Sequence, residues 1–165
     1  MQKLFFLFLF VGSLMTACSD DDATPDNTGG DFFEATIDGT PYRSEGANAY
    51  ATIFDTDNSI AIYGTGTPGT EVYPIMFLSF EDDFDGQEGT YEMGLGKEAF
   101  GTYTNSGGEF TYGTSSTNPA GTGTVTITER TDERVKGTFS FTAVDLTDET
   151  QTVSITGGKF DVGIQ

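Results

Sequence analysis

Histidine and tryptophan are absent from this 165-residue chain, and cysteine occurs once. Without His no side chain ordinarily titrates near neutral pH, so Ser-His-Asp and Cys-His catalysis drop out, as does a Cys/His zinc set. One Cys makes no intrachain disulfide. Basic residues are scarce too, with 7 Lys and Arg against 26 Asp and Glu, a formal net charge of −19. So anionic a surface repels phosphate backbones and acidic lipid headgroups, and no Lys/Arg cluster offers a local exception. Nucleic acid is therefore a poor partner, and divalent cations or cationic partners are what this field concentrates. Paired carboxylates are the one acid–base inventory left. With 26 acids, some pair meets the roughly 5–10 Å spacing of a glycosidase by chance, so the pairing carries almost no signal. The composition points to a non-catalytic protein, with a carboxylate-based hydrolase as the alternative.

What is present begins with an apolar leader. Lys3 supplies a positive start, and Leu4 to Leu14 run apolar for about eleven residues, half of what a membrane span needs. Thr16 and Ala17 are small and precede Cys18. This resembles a bacterial lipobox, with Met15 where Leu is commonest. The expectation is a signal peptide over residues 1–17, cleaved before Cys18, which then carries the lipid that holds the protein at the membrane. Several acyl chains, each methylene contributing about 0.8 kcal/mol, would anchor it firmly. The run Ser19, Asp20, Asp21, Asp22 resembles the surface-export signal of flavobacterial lipoproteins. That resemblance implies an outer-membrane protein facing the exterior, a periplasmic face being the alternative. Residues 18–31 lack any hydrophobic period and carry Pro, Gly, Asn and Asp, as a flexible acidic tether does. The thirteen residues from Ser19 to Asp31 reach roughly 20 Å.

Residues 32–165 read as one domain of short strands. Glycine is abundant (22 residues), and the apolar bulk comes from 15 Phe and 7 Tyr. Phe33, Ala35 and Ile37 alternate with polar neighbours, and Asp38-Gly39 is a hairpin signal. Val72 to Phe80 is apolar on both parities and reads as a strand buried on both sides. Val125 and Ile127, then Val135 to Ala143 at every second position, read as half-buried antiparallel strands. The buried parity flips between Ile155 and Phe160, which places a bulge at Gly157-Gly158. The expected fold is all-β, a single antiparallel sandwich or barrel of about 8–10 short strands, without a helix.

Several of these segments together resemble a family of Bacteroidota lipoproteins of unknown function. They are Phe33-Glu34-Ala35-Thr36-Ile37-Asp38-Gly39-Thr40-Pro41-Tyr42, Gly89-Thr90-Tyr91, Gly137 to Ala143, and Val153 to Phe160. Tyr42 stands where such sequences often have Trp. The resemblance implies the envelope location and the β architecture, and carries no activity or site.

Two constellations remain as candidate sites. Glu81, Asp83, Asp85, Gly86 and Glu92 repeat the 1-3-5-6-12 spacing of a calcium loop. Glu81 is longer than the usual Asp, Glu88 replaces an apolar residue, and the flanks read as strands. An EF-hand is therefore rejected, leaving a calcium-binding β-loop against a solvated acidic turn. The second set is Tyr91, Phe100, Tyr103, Phe110 and Tyr112 beside Asn105 and Glu109, which could bind a sugar or peptide or could simply be core. The functional expectation is an outward-facing lipoprotein with a non-catalytic β-domain, whose partner is an envelope protein or glycan. A calcium-stabilised adhesion or glycan-binding module is the alternative.

Overall fold

The computed structural model describes residues 30–54, 59–66, 75–80, 87–105, 107–109, 111–114, 121–148 and 150–165. Eleven strands run through these residues. They are β1 (Phe32–Ile37), β2 (Thr40–Glu45), β3 (Ala49–Phe54), β4 (Ser59–Thr65), β5 (Ile75–Phe80), β6 (Gly89–Met93), β7 (Ala99–Thr104), β8 (Thr111–Gly113), β9 (Thr122–Arg130), β10 (Arg134–Asp145) and β11 (Thr152–Gly163). The sole helical feature among the described residues is one 3₁₀ turn at Gly46–Asn48. The all-β single domain expected from the sequence is what forms.

All eleven strands belong to one sheet, in the order β2-β1-β11-β10-β9-β6-β7-β5-β4-β3, with β8 bonded to both β10 and β7. That double pairing closes a five-strand barrel from β6, β7, β8, β10 and β9. One of its seams, β6 to β7 at Met93↔Ala99, is parallel, unlike the antiparallel remainder of the strand pairings. The strands outside the ring extend the sheet on both sides. A single parallel bridge, Ala51↔Ile164, brings β3 back against the end of β11.

Local chemistry explains the connections. Asp38 and Gly39 both hold positive φ (46° and 82°), the twist-matching two-residue turn that Asp-Gly favours. The flip in buried parity on β11 is a bulge, since the β10–β11 register shifts between Phe139 and Phe141 and Gly157 sits at φ 60°.

The core is continuous. Phe33, Phe139 and Phe160 meet with centroids 4.9 to 6.3 Å apart, and Ile62, Met76, Leu78, Val125, Ile127 and Ile155 belong to the same buried cluster. Each fully buried ring or branched side chain contributes about 1.5–3 kcal/mol. Alternation then sets the opposite faces. On β5, Met76, Leu78 and Phe80 enter the core, whereas Phe77 stands on the other side and is only half-buried. The double-sided burial expected of this strand is thus a core face and a second, aromatic face. Val72 to Pro74, which the expected strand included, lie outside the described residues.

Candidate functional site

The outer side of the sheet divides into two electrically different halves. Strands β1, β2, β9, β10 and β11 carry charge. Arg43 pairs with Glu34 and with Glu45 (2.6 Å), Lys136 with Glu129 (3.0 Å), and Arg134 with Asp161 (2.5 Å) and Asp31 (2.9 Å). Strands β3, β4, β5 and β7 are 6, 7, 6 and 6 residues long and hold no charged side chain, in a chain that is 20% charged. A wet sheet face ordinarily alternates apolar with polar and charged residues, so this neutrality calls for a reason.

Across that neutral half runs a line of four rings, one from each strand. Tyr50 on β3 stacks on its cross-strand neighbour Tyr63 on β4 (4.8 Å, 18° between planes). Tyr63 meets Phe77 on β5 (4.9 Å), its register partner, and Phe77 meets Phe100 on β7 diagonally (5.7 Å). All four are half-buried, and their strand neighbours on either side are the ones that enter the core. The rings thus lie opposite the core, one strand spacing apart. At the same face Phe54 is 41% exposed, and Thr52 and Thr102 add hydroxyls. Burial, and then the neighbouring Tyr50, push the Tyr63 hydroxyl above its ordinary pKa, so it stays neutral across the physiological range. The arrangement offers a row of half-buried rings, stacked or tilted against one another beside the hydroxyls of Thr52 and Thr102.

The aromatic set anticipated from the sequence separates. Tyr91, Tyr103 and Tyr112 pack against the core, with Tyr103 stacked on Tyr112 (6.1 Å) and the Tyr91 hydroxyl donating to the Gln87 carbonyl (2.7 Å). Phe100 alone reaches the outer stripe, and Phe110 lies outside the described residues. Asn105 accepts the Glu109 amide (3.1 Å) within its own loop. Of the calcium-loop residues, Glu81, Asp83 and Asp85 lie outside the described residues. Glu92 is exposed and paired with Lys97, whose ammonium holds its carboxyl below the usual range. Cys18 and the Ser19, Asp20, Asp21, Asp22 run also lie outside them.

Two other places bring polar groups together among the described residues. A shallow depression of about 300 Å³ on the charged half is lined by Thr124, Thr126, Thr138, Ser140 and Lys159 beside Gly157-Gly158. It is open and holds one cation in a strongly acidic chain. Asp145, buried at the end of β10, accepts the Thr147 amide (2.7 Å), the Thr147 hydroxyl (2.7 Å) and the Asp148 amide (3.0 Å) on Oδ1. Its Oδ2 has no partner among the described residues. These bonds shape the β10–β11 turn. The same contacts lower the Asp145 carboxyl below its ordinary pKa.

Residues 30–162 match the model of a domain of unknown function, DUF6252. No curated protein and no solved structure matches the chain.

Proposed function

The chain belongs to the DUF6252 family of domains of unknown function, and from that premise we propose that it is a lipid-tethered, non-catalytic binding domain of the outer membrane, facing outward. Cys18 carries the lipid, the residues from 19 to 30 form the tether, Ser19 to Asp22 direct export, and the neutral aromatic half of the sheet is the contact face; Asp31, expected in the tether, is held in the domain by Arg134 and the Gly163 amide. The observation that carries the reading is the line Tyr50–Tyr63–Phe77–Phe100 on strands that hold no charge. Half-exposed aromatic rings cost solvation in a free surface and repay it when covered. A tether of roughly 20 Å gives such a face access to its surroundings while the lipid keeps it local.

Hydroxyl-radical footprinting of the full-length protein tests this, on intact cells and after purification in detergent. The expected result is lower oxidation of Tyr63 and Phe77 on cells than in the purified protein, with core Phe139 unchanged. Equal oxidation of Tyr63 and Phe77 in both states would overturn the reading.

A further inference from the structure

We propose that the occupant of the aromatic stripe is an extended, uncharged polysaccharide. This inference rests on the binding reading above and names its ligand class. Charge argues it first. The whole chain carries −19, so an anionic polymer is repelled at long range. A cationic polymer meets no carboxylate on β3, β4, β5 or β7. A neutral ligand is the one that loses nothing by leaving the charged half for this one.

Shape argues it next. The rings lie in single file at 4.8, 4.9 and 5.7 Å. With strands about 4.8 Å apart, four strands give a track of roughly 15 Å, several sugar units long and one ring wide. A protein partner needs about 800 Å² on each side, with a broad apolar centre, which a one-ring track does not supply. Tyr63 turns a face to Tyr50 and stands tilted to Phe77, so the row offers ring edges and half-exposed apolar surface, against which the C–H groups of a pyranose pack. The phenols of Tyr50 and Tyr63 and the hydroxyls of Thr52 and Thr102 suit its ring substituents. Neutral hydroxyls pair with neutral hydroxyls, and neither side buries a charge.

The test is native affinity electrophoresis of the full chain, purified with its lipid in detergent, through gels containing neutral β-glucan, xylan or mannan, with polygalacturonate as the anionic arm. The expected result is retardation by at least one neutral polymer and none by polygalacturonate. Tyr63→Ala combined with Phe77→Ala should weaken retardation at least tenfold. Thr102→Glu leaves every ring in place and puts a charge beside them, so it should weaken binding similarly while melting as the native chain does. Migration unaffected by every neutral polymer, equal retardation by polygalacturonate, or full retention by Thr102→Glu would overturn the inference. Footprint protection on cells without retardation in these gels would overturn the glycan and leave the contact face standing. Loss of both would remove both.

Discussion

Gly137 on β10 stands directly opposite Phe160 on β11, and a Cβ at 137 would lie 2.5 Å from the tip of that ring and closer still to the Thr126 carbonyl. Two residues along, the roles reverse, with Phe139 opposite Gly158 and a Cβ there 2.5 Å from the Phe139 ring. Each ring lies over a glycine that its partner strand leaves bare, which covers backbone and locks register together. Gly137→Ala should therefore destabilise the domain by about 2–3 kcal/mol through overpacking against backbone that cannot move away. Gly157→Ala meets no atom within 4 Å and suffers only its left-handed φ of 60°, about 1 kcal/mol. Chemical denaturation of the two variants checks the order, and the reverse order would contradict the ring-over-glycine interlock.

Arg134 clips the start of the domain to its end. Its Nε donates to Asp161 (2.5 Å) and its Nη2 to Asp31 (2.9 Å), while Asp31 also accepts the Gly163 amide (3.1 Å). Arg134→Met should cost about 1–2 kcal/mol, because Asp161 is 8% exposed and the Lys136 ammonium lies farther off, at 3.7 Å. Amide exchange should rise first at Gly163. Unchanged stability would show that the pair is merely a surface contact.

Stability should fall at both ends of the pH scale, for different reasons. Burial raises the Tyr42 and Tyr103 hydroxyls, as it does Tyr63. A raised folded value means this contribution is complete below the unfolded value of about 10 and is lost as pH climbs through the folded ones. Tyr42 is the most buried of the three and donates to the Gly64 carbonyl, so Tyr42→Phe should flatten the alkaline limb while costing about 1 kcal/mol at neutral pH. Asp145 and Asp148 are lowered by hydrogen bonds from Thr147 and Thr150 respectively. Their contribution is complete above about pH 4 and disappears as pH falls through the depressed values, so Asp145→Asn should make the acid limb shallower. Melts across pH read both limbs, and a Tyr42→Phe curve parallel to wild type above pH 10 would contradict the first.

The strands with one wet face were legible because alternation is a local signal. Val135, Phe139 and Phe141 showed their buried side without knowledge of any partner, and the parity flip marked the bulge at Gly157. The Asp38-Gly39 turn was equally plain. The aromatic stripe was not legible, since Tyr50, Tyr63, Phe77 and Phe100 come from four strands and meet only through cross-strand register. Grouping rings by nearness in sequence joined Phe100 with Tyr91, Tyr103 and Tyr112, which alternation sends to the other face. One signal did exist in the chain, namely four apolar segments with no charge in so acidic a protein. Barrel closure was likewise hidden, because it depends on three-residue β8 pairing on both sides.

Cys18→Ser should abolish incorporation of labelled fatty acid into the chain, with the domain still folded. External protease on intact cells should remove the wild-type domain. Fatty-acid incorporation unchanged by Cys18→Ser would contradict the lipid tether, and full protease protection would contradict the outward face.

Whether an uncharged glycan binds the neutral half of the sheet is measured most directly by the melting temperature of the full chain in detergent with a neutral polysaccharide that retards it. Ligand at ten times its Kd stabilises the folded state by about 1.4 kcal/mol, which for a domain of this size raises Tm by roughly 3–6 °C. The account predicts that rise for the wild type and none for Thr102→Glu or for polygalacturonate. An unmoved wild-type Tm, or the same rise in Thr102→Glu, would contradict it.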